Sequence, residues 1–433
     1  MTKVPLEGDV VNKTKKKSRN GLVAALDVGS TKVACFVAKT DPGAQGAAAR
    51  VVGIGYQVSK GVRGGAIVDM EQAEQSILNA VSAAEQMAGD TLHAVLVNVS
   101  GGSPTSRTIG VEVSIAGHEI GDGDVRRVVD QGRAAHAQGE RRLLHAIPVG
   151  YTIDGSRGIR DPRGMYGERL GVNMHLVTAS AGAVRNLETV VGRCRLDIDA
   201  FVVSAYAAGL AALVEDEMDL GVTVIDMGGG TTSVAIFFDG NVIHTDCVPI
   251  GGNHVTNDIA RGLSTPVVHA ERLKTLYGSA VASPADAREI IDVPLVGEED
   301  HVQPNHVPKS ILTGIIQPRL EETFELVRSR IEASGFDKIA GRRVVLTGGA
   351  SQLQGARELA ALVLDKQVRM GRPIRLPGLS DQTGGPAFSA CAGLLAFAMQ
   401  TSAETARPAP QALGDGAAVG LFGRFGLWLR ENL

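Results

Sequence analysis

Aromatic side chains are scarce in this sequence, since phenylalanine, tyrosine and tryptophan together make up 4% of its 433 residues. The position of the single tryptophan, Trp428, near the C-terminus therefore stands out. Cysteine is also rare, and its four positions show no metal-type spacing: Cys35, Cys194, Cys247 and Cys391. We expect reduced, mostly buried thiols in a cytosolic protein.

Long apolar runs are missing as well. The longest mostly apolar stretches, residues 201–214 and 387–399, are too short to span a bilayer. Residues 1–20 lack the apolar segment of a secretory signal and contain a cluster of lysines and an arginine between Lys13 and Arg19. This composition predicts a disordered, solvated basic tail, with contact to anionic lipid headgroups as the alternative.

Charge of one sign is not in excess, because 43 basic residues face 47 acidic ones and the net charge is −4. This balance argues against the basic surface of a nucleic-acid-binding protein. A hydrophobic content of 44% with 21% charged residues is typical of a soluble globular protein. The length allows two or more domains with sizeable cores.

Residues 222–238 form the most informative stretch, VTVIDMGGGTTSVAIFF. Two apolar runs predict two strands of a hairpin, with Asp226 at the end of the first strand and polar and glycine residues at the tip. Glycines allow backbone amides to approach an anion, threonine hydroxyls can donate to it, and a carboxylate suits hydrated Mg²⁺. The tip predicts a site for Mg²⁺-bound phosphates; an ordinary glycine-rich hairpin is the alternative.

A second copy of this device lies about 200 residues earlier, where residues 22–37 read LVAALDVGSTKVACFV. Here Asp27 ends the strand, and Gly29, Ser30 and Thr31 form the tip. A third stretch, residues 344–353, ends a strand at Gly348 and Gly349, against which a flat ring or ribose could lie. The two copies suggest two related lobes that face one nucleotide.

Several elements between these motifs are predicted from periodicity. A helix over residues 70–87 has an apolar stripe at Ala73, Ile77, Ala80, Val81 and Ala84. A change of composition predicts an inserted α/β subdomain over residues 88–170. An Ala/Gly-rich helix over residues 201–214 precedes the second hairpin and suggests close helix contact between the lobes. Residues 255–335 predict a second insertion, with helices at Val267–Tyr277 and residues 308–333.

The C-terminal part differs in composition from the rest. Residues 401–420 are rich in Ala, Pro and Gly and predict a flexible linker. On a helix, the large apolar side chains of residues 421–433 fall on one face, opposite the arginines: Leu421, Phe422, Phe425, Trp428 and Leu429. This pattern favours an amphipathic helix at a membrane surface; docking on the protein's own core is the alternative.

With its two D-x-G-x-T hairpins and late Gly-Gly-Ala turn, the chain resembles the actin/Hsp70/sugar-kinase superfamily. The subdomain after the first helix and the C-terminal tail make it similar to the FtsA family of actin-like bacterial division proteins. The resemblance implies an α/β fold of two ribonuclease H-like lobes, an inserted subdomain and a C-terminal amphipathic helix. The expected divisions are the tail 1–20, first lobe 21–87 and 171–218, insertion 88–170, second lobe 219–254 and 336–400, its insertion 255–335, linker 401–420 and membrane helix 421–433.

The resemblance also implies roles for single residues toward ATP and Mg²⁺. Asp27 and Asp226 would hold hydrated Mg²⁺ from opposite lobes. The phosphates would be cradled by both hairpin tips: Gly29, Ser30, Thr31, Gly228, Gly229, Gly230 and Thr231. Lys32 would add charge there, or be a solvated strand lysine. The site would be completed by residues near the phosphates, ribose and adenine: Gly251, Gly252, Asn253, Glu271, Lys274, Gly348, Gly349 and Ala350.

One feature departs from related actins, in which a Glu or Gln on the inter-lobe helix orients the attacking water. Residues 201–214 offer only Ser204 and Tyr206 as polar side chains, and the nearest acids follow the predicted helix. We expect at most slow ATP hydrolysis and name no catalytic residue.

Membership of the family implies a membrane adaptor of cell division. It would polymerise on the cytoplasmic face of the inner membrane at the division site, tether FtsZ filaments and recruit later division proteins of the membrane. The C-terminal peptide of FtsZ would dock on residues 255–335, near basic side chains that could equally form a solvated helix face: Lys309, Arg319, Arg328 and Arg330.

Three other functions share parts of this pattern. A small-molecule kinase would need a general base beside the γ-phosphate, and no acid stands out between the lobes. A chaperone ATPase would need a peptide-binding domain after the second lobe. Another actin-like membrane protein, such as a cell-shape filament or pilus adaptor, fits less well with the position of the insertion and the tail.

Overall fold

The computed structural model describes residues 21–40, 49–136, 139–297, 305–374 and 376–406. The basic tail 1–20, residues 407–420 of the predicted linker and the predicted membrane helix 421–433 lie outside the described residues. Residues 401–406, predicted as the start of the linker, instead belong to the last helix, which ends at Ala406. Within that part of the chain, no helix is long and apolar enough to cross a membrane.

The first lobe begins with a hairpin, two short strands and a helix. The helix starts at Asp69, whose carboxylate accepts from the Gln72 amide, and it ends at Gly89 in the left-handed conformation. Its buried face contains the predicted apolar stripe. The elements are β1 (Leu22–Val28), β2 (Lys32–Thr40), β3 (Ala49–Val58), β4 (Val62–Arg63), β5 (Ala66–Ile67), α1 (Met70–Ala88) and β6 (Ala94–Val99).

The inserted subdomain follows, and the chain then returns to the first lobe. The insertion is a four-stranded sheet in the order β7-β10-β8-β9 with α2 packed on it. The elements are β7 (Thr105–Ser114), α2 (Asp122–Ala134), β8 (Arg141–Ile153), β9 (Ser156–Ile159), β10 (Arg169–Ser180), α3 (Ala181–Arg193), β11 (Asp197–Val203), α4 (Ser204–Ala212) and α5 (Glu215–Leu220).

The second lobe repeats the hairpin and adds a small two-stranded sheet with long helices. Two short 3₁₀ turns, Gly349–Gln352 and Pro386–Phe388, lie beside the last strands. The elements are β12 (Val222–Met227), β13 (Thr232–Phe238), β14 (Asn241–Val248), α6 (Gly252–Gly262), α7 (Val267–Tyr277), β15 (Ile290–Val293), β16 (Asn305–Pro308), α8 (Lys309–Ala333), β17 (Arg343–Thr347), α9 (Ala356–Leu364) and β18 (Gln367–Met370). The last helix, α10 (Ser389–Ala406), packs back on the first sheet and on α4.

The two lobes share one topology. The first sheet has the order β3-β2-β1-β6-β11, and the second has the order β14-β13-β12-β17-β18. In each, the hairpin strands are antiparallel and the first of them pairs in parallel with the next strand of its sheet. This correspondence confirms the prediction of two related lobes, and it places both hairpin tips at equivalent positions.

Three predicted boundaries need correction. Residues 389–400 do not belong to the second lobe, because α10 packs on strands of the first sheet and the Cys391 thiol donates to the Ala25 and Ala34 carbonyls. Residues 88–170 do not all belong to the insertion, because β6 pairs with β1 and β11 in the first sheet. Residues 171–180 do not belong to the first lobe, because β10 pairs with β7 and β8. The inserted sheet therefore extends from β7 to β10. Sequence periodicity identifies strands, but it does not say which sheet they join.

The inter-lobe helix is shorter than predicted. Residues 201–203 belong to β11, where Phe201 and two β-branched valines pair with β6, and α4 ends at Ala212. The predicted helix contact is present, because α4 packs on α10. There Gly393 lies so close to the Ala207 backbone that no side chain would fit.

Candidate functional site

The tip of the first hairpin is a tight turn between β1 and β2. The Gly29 amide donates to the Lys32 carbonyl at 3.0 Å and closes the turn. Asp27 lies one residue before the end of β1 and is buried. The Ser30 hydroxyl accepts from the Gly65 amide at 2.9 Å, so the hairpin is held by the segment between β4 and β5.

The second hairpin has the same construction. The Gly228 amide donates to the Thr231 carbonyl at 2.8 Å, and Asp226 lies one residue before the end of β12. Asp226 and Asp27 thus occupy matching positions in the two lobes, as the sequence predicted.

The two tips face each other. A Cβ atom at Gly229 would lie 3.0 Å from the Thr31 hydroxyl oxygen and closer still to its methyl group, and one at Gly230 would meet the Ser30 hydroxyl. Only residues without a side chain allow this approach of backbone from one lobe to side chains of the other. The sequence pattern predicted two halves of one site, and the structure brings them together.

The start of α6 packs directly on the second hairpin. The Gly252 amide donates to the Gly228 carbonyl at 3.0 Å, and the Asn253 amide donates to the Gly229 carbonyl at 2.8 Å. The Gly251 amide donates to the ring of His254 at 3.1 Å. These residues lie beside the tip as predicted, but in this structure their amides bind groups of the chain itself.

Glu271 and Lys274 lie on one face of α7 and form a compact polar cluster with Thr256. The Lys274 ammonium donates to the Glu271 carboxylate at 2.6 Å, to the Thr256 hydroxyl at 2.9 Å and to the Gly252 carbonyl at 3.3 Å. A Cβ atom at Gly252 would lie 3.1 Å from that of Ala350. The cluster therefore adjoins the Gly-Gly-Ala turn.

The Gly-Gly-Ala turn follows β17 and abuts the second carboxylate. Gly348 has φ +89°, a left-handed conformation that favours glycine. A Cβ atom there would lie 2.5 Å from Asp226 Oδ1. Gly349 and Ala350 begin the following 3₁₀ turn. The three predicted parts of the site therefore meet at one place in the fold.

The carboxyl groups of Asp27 and Asp226 share one electrostatic environment. Burial raises the pKa of Asp27, and burial followed by the charge of Asp27 raises the pKa of Asp226. The charge of the Lys32 ammonium opposes this rise for both carboxyl groups, but both pKa values stay above their ordinary value. Asp27 is buried and Asp226 is partly buried, and two carboxylates that resist ionisation together form a donor set that fits a hydrated divalent cation. No group of three or more metal-ligating side chains occurs among the described residues.

Lys32 has a contact that the sequence could not predict. Its ammonium donates to the Ala387 carbonyl and lies over the Phe388 ring, 3.9 Å from the ring centroid. It is thus neither a freely solvated strand lysine nor directed only at the hairpin tip.

Sequence reasoning missed Asn98, which is buried near the end of β6. Its side-chain oxygen accepts from the Val28 amide at 2.7 Å, and its amide group donates to the Ser204 hydroxyl at 3.1 Å. Asn98 therefore fixes the first hairpin relative to the start of α4. An asparagine inside the buried run AVLVNV was the available signal.

The basic residues of α8 all have acidic or carbonyl partners within the chain. Lys309 pairs with Glu289 at 2.9 Å, and Arg319 pairs with Asp258 at 2.5 Å. Arg328 donates to the Val363 carbonyl at 3.0 Å, and Arg330 lies 3.6 Å from Asp246. These side chains do not form an unpaired basic surface.

Comparison with known proteins gives two matches to family models. Residues 223–393 match the model described as cell division protein FtsA, and residues 101–178 match the SHS2 domain inserted in FtsA. A cell division protein FtsA of Rhizobium meliloti is 44% identical over 426 residues, covering 96% of this chain and 95% of the relative. The chain belongs to the FtsA family.

Other FtsA proteins agree with this assignment. FtsA of Pseudomonas aeruginosa is 37% identical, covering 88% of this chain and 90% of the relative. FtsA of Escherichia coli K12 is 32% identical, covering 89% of this chain and 92% of the relative. The SHS2 match at residues 101–178 agrees with the sheet formed by β7 to β10, and it supports the corrected limits of the insertion.

Solved structures confirm the actin-like fold of this FtsA-family chain. The PilM-PilN type IV pilus biogenesis complex matches with a TM-score of 0.61 at 17% identity, covering 87% of this chain and 98% of the other. MreB5 of Spiroplasma citri bound to AMPPNP matches with a TM-score of 0.52 at 15% identity, covering 89% and 98%. At these identities the likeness concerns the fold alone.

Proposed function

We propose that this FtsA-family chain binds a Mg²⁺-bound adenine nucleotide between its lobes. The observation that carries this proposal is the approach of the two hairpin tips, with Gly229 against Thr31, buried Asp27 behind one tip and partly buried Asp226 behind the other. Backbone amides at such tips can bind phosphate oxygens. The same fold is solved with ADP and with AMPPNP in MreB5, which supports an adenine nucleotide as the ligand.

The remaining parts of the site suit the nucleoside. Gly348, Gly349 and Ala350 present a surface with little side chain, against which adenosine can lie. Glu271 and Lys274 lie beside that surface and offer a carboxylate and an ammonium to ribose and base. Asp27 and Asp226 would hold Mg²⁺ through water, and the cation would relieve the repulsion between their carboxylates.

Hydrolysis by this site would be slow. Helix α4 has the sequence SAYAAGLAA and contains no carboxylate or amide side chain to orient water. The first buried acid after α4 is Glu217, whose carboxylate accepts two hydrogen bonds from Arg369. This pairing indicates a structural role for Glu217. Turnover on the order of one per second or faster, in the usual enzyme range, would contradict this part of the proposal.

The second part of the proposal is a reversible membrane tether formed by residues 421–433. Five large apolar side chains contribute roughly 1.5–3 kcal/mol each on burial, and ordering of the tail opposes this gain. One tail would bind weakly and reversibly. A filament with many tails would bind far more tightly through effective concentration.

The third part is an interaction with FtsZ that links its filaments to the membrane. We propose that an acidic C-terminal peptide of FtsZ docks near Lys309 and competes with Glu289 for its ammonium. Recruitment of later division proteins would use the inserted subdomain.

Cosedimentation with vesicles tests the membrane tether and the FtsZ interaction together. Full-length protein is mixed with vesicles containing anionic phospholipid, with ATP or ADP, and with or without FtsZ. We expect FtsZ to sediment with the vesicles only when the chain is present, and Trp428→Glu or removal of residues 421–433 to abolish this. Trp428→Phe is the matched control, because it keeps an apolar ring. Unchanged sedimentation of Trp428→Glu would contradict the membrane tether.

Lys309→Glu tests the FtsZ contact separately, with Lys338→Glu as a control on the same lobe. We expect Lys309→Glu to bind vesicles normally but to carry less FtsZ with it. Equal FtsZ recovery by both variants would contradict the docking site.

A further inference from the structure

The turn Pro386–Phe388, at the start of α10, lies between the two lobes next to the proposed nucleotide site. The proposed function does not use this turn. It is nevertheless tied to both hairpin regions, and α10 ends at Ala406, where the chain continues toward the predicted membrane helix.

The tie to the first lobe is Lys32. Its ammonium donates to the Ala387 carbonyl and lies 3.9 Å from the centroid of the Phe388 ring. Phe388 in turn stacks on Phe36 of β2, with ring centroids 5.7 Å apart, and meets Tyr56 of β3 edge-on at 5.6 Å. The lysine and the aromatic contacts hold the turn against the first sheet.

The tie to the second lobe is made by β17 and the residue after it. The Thr347 hydroxyl donates to the Ser389 hydroxyl at 2.7 Å, and the Gly348 amide donates to the Pro386 carbonyl at 3.1 Å. Gly348 is the residue that abuts Asp226. The turn is therefore joined through Gly348 to the neighbourhood of Asp226, and through Lys32 to the end of the first hairpin tip.

Lys32 would change partners when an anion enters. A charged donor binds a phosphate more strongly than a neutral carbonyl, because both members of the new pair are ionised. Lys32 is the first residue of β2, directly after the hairpin tip, and its charge already acts on Asp27 and Asp226. Because Lys32 directly follows the tip, we expect its ammonium to leave the Ala387 carbonyl for a phosphate bound there.

We propose that Lys32 is a positioning residue that couples nucleotide occupancy to α10. Without nucleotide it holds the turn Pro386–Phe388 to the first lobe; with nucleotide its ammonium turns to the phosphates, and the turn stays tied to the second lobe through Thr347 and Gly348. The turn is then held to the first lobe only by its apolar packing, in which Phe388 stacks on Phe36. This inference rests on the proposed nucleotide binding and adds a route from the site toward the tail.

Hydrogen–deuterium exchange of the full chain, with and without Mg²⁺-ATP at saturation, tests the coupling. In the wild type we expect slower exchange at residues 226–232 and faster exchange at residues 386–396. Lys32→Met should bind nucleotide more weakly, so Mg²⁺-ATP is raised until its binding is saturated as well. In this variant the change at residues 386–396 should be lost, because these residues should already exchange at the faster rate without nucleotide. Lys32→Arg should retain the change, and Lys39→Met, on the exposed end of the same strand, should behave as the wild type.

The outcomes separate this inference from the proposed function. Nucleotide-dependent change at residues 386–396 that persists in Lys32→Met overturns the coupling, as does a wild type in which only the hairpin responds. No response at residues 226–232 in the wild type overturns nucleotide binding itself and the coupling with it. If Lys32→Met binds no nucleotide, the nucleotide-free proteins decide. Without nucleotide, residues 386–396 of Lys32→Met should exchange as fast as those of the nucleotide-bound wild type, and exchange as slow as in the nucleotide-free wild type overturns the coupling.

Discussion

His175 makes the stability of this protein sensitive to acid. It lies in β10 with no exposed surface, and neither ring nitrogen has a hydrogen-bond partner among the described residues. Burial, followed by the charges of His244 and His145, lowers its pKa to about 3. His145 joins the insertion to the first lobe, since its ring accepts from the Val203 amide at 3.1 Å. His244 lies on β14 of the second lobe. Protonation of this histidine group would therefore act where the insertion and the two lobes meet.

The size of the effect follows from the two protonation states. In the unfolded chain a histidine titrates near its ordinary pKa of about 6.5, whereas folded His175 stays neutral down to about pH 3. The free energy of unfolding is therefore unaffected above pH 6.5 and falls as pH decreases below it, by about 1.4 kcal/mol per pH unit. At pH 5 the loss is about 2 kcal/mol from His175 alone.

The perturbation is His175→Leu, which replaces an unsatisfied polar ring with an apolar side chain of similar size. We expect the variant to be as stable as the wild type at pH 7.5, and to lose about 2 kcal/mol less on transfer to pH 5. Urea unfolding followed by hydrogen exchange in β10 measures this local difference. His93→Leu, at an exposed position, is the control and should keep the pH dependence of the wild type.

Two results would refute the reasoning. One is an unchanged pH dependence in His175→Leu, which would mean that another group binds the protons. The other is a strong loss of stability at pH 7.5, which would mean that the ring has a hydrogen-bonding role at neutral pH.

Two further predictions concern an ion pair and the buried thiols. Arg369→Met should lower the free energy of unfolding, measured in urea, by about 3 kcal/mol, because Glu217 is left buried without its main partner. A loss below about 1 kcal/mol would contradict this. Arg133→Met, at an exposed position, is the control. The four buried thiols should react with a disulfide reagent at pH 8 only after the protein unfolds. The reason is that burial raises the pKa of Cys35 to about 12 and that of Cys247 to about 11. Rapid reaction of the native protein would contradict this burial.

Local patterns made much of the fold predictable. Periodicity and turn residues predict the buried stripe of α1, the bounds of α7 and both hairpins. In each case the residues that give the signal lie within a few positions of each other in the sequence. The meeting of the hairpin tips could also be inferred, because two copies of one motif suggest two related lobes. These features need no knowledge of distant contacts.

The remaining errors and omissions all involve long-range contacts. Strands β6 and β10 were recognised as strands but assigned to the wrong sheet, since pairing is decided by residues far along the chain. Lys32 contacts a carbonyl 355 positions away, and Asn98 joins two elements that no sequence pattern links. The paired state of the α8 basic residues was likewise visible only in three dimensions.

Calorimetric titration of Mg²⁺-ATP into the wild type and Gly229→Ala tests the split nucleotide site most directly. A methyl group at Gly229 would clash with Thr31 of the other lobe and separate the two tips, whereas Gly192→Ala, where nothing lies within 4 Å, is a matched control. The account predicts one binding site in the wild type and in Gly192→Ala, and strongly weakened binding in Gly229→Ala. Equal affinity of all three proteins would contradict it.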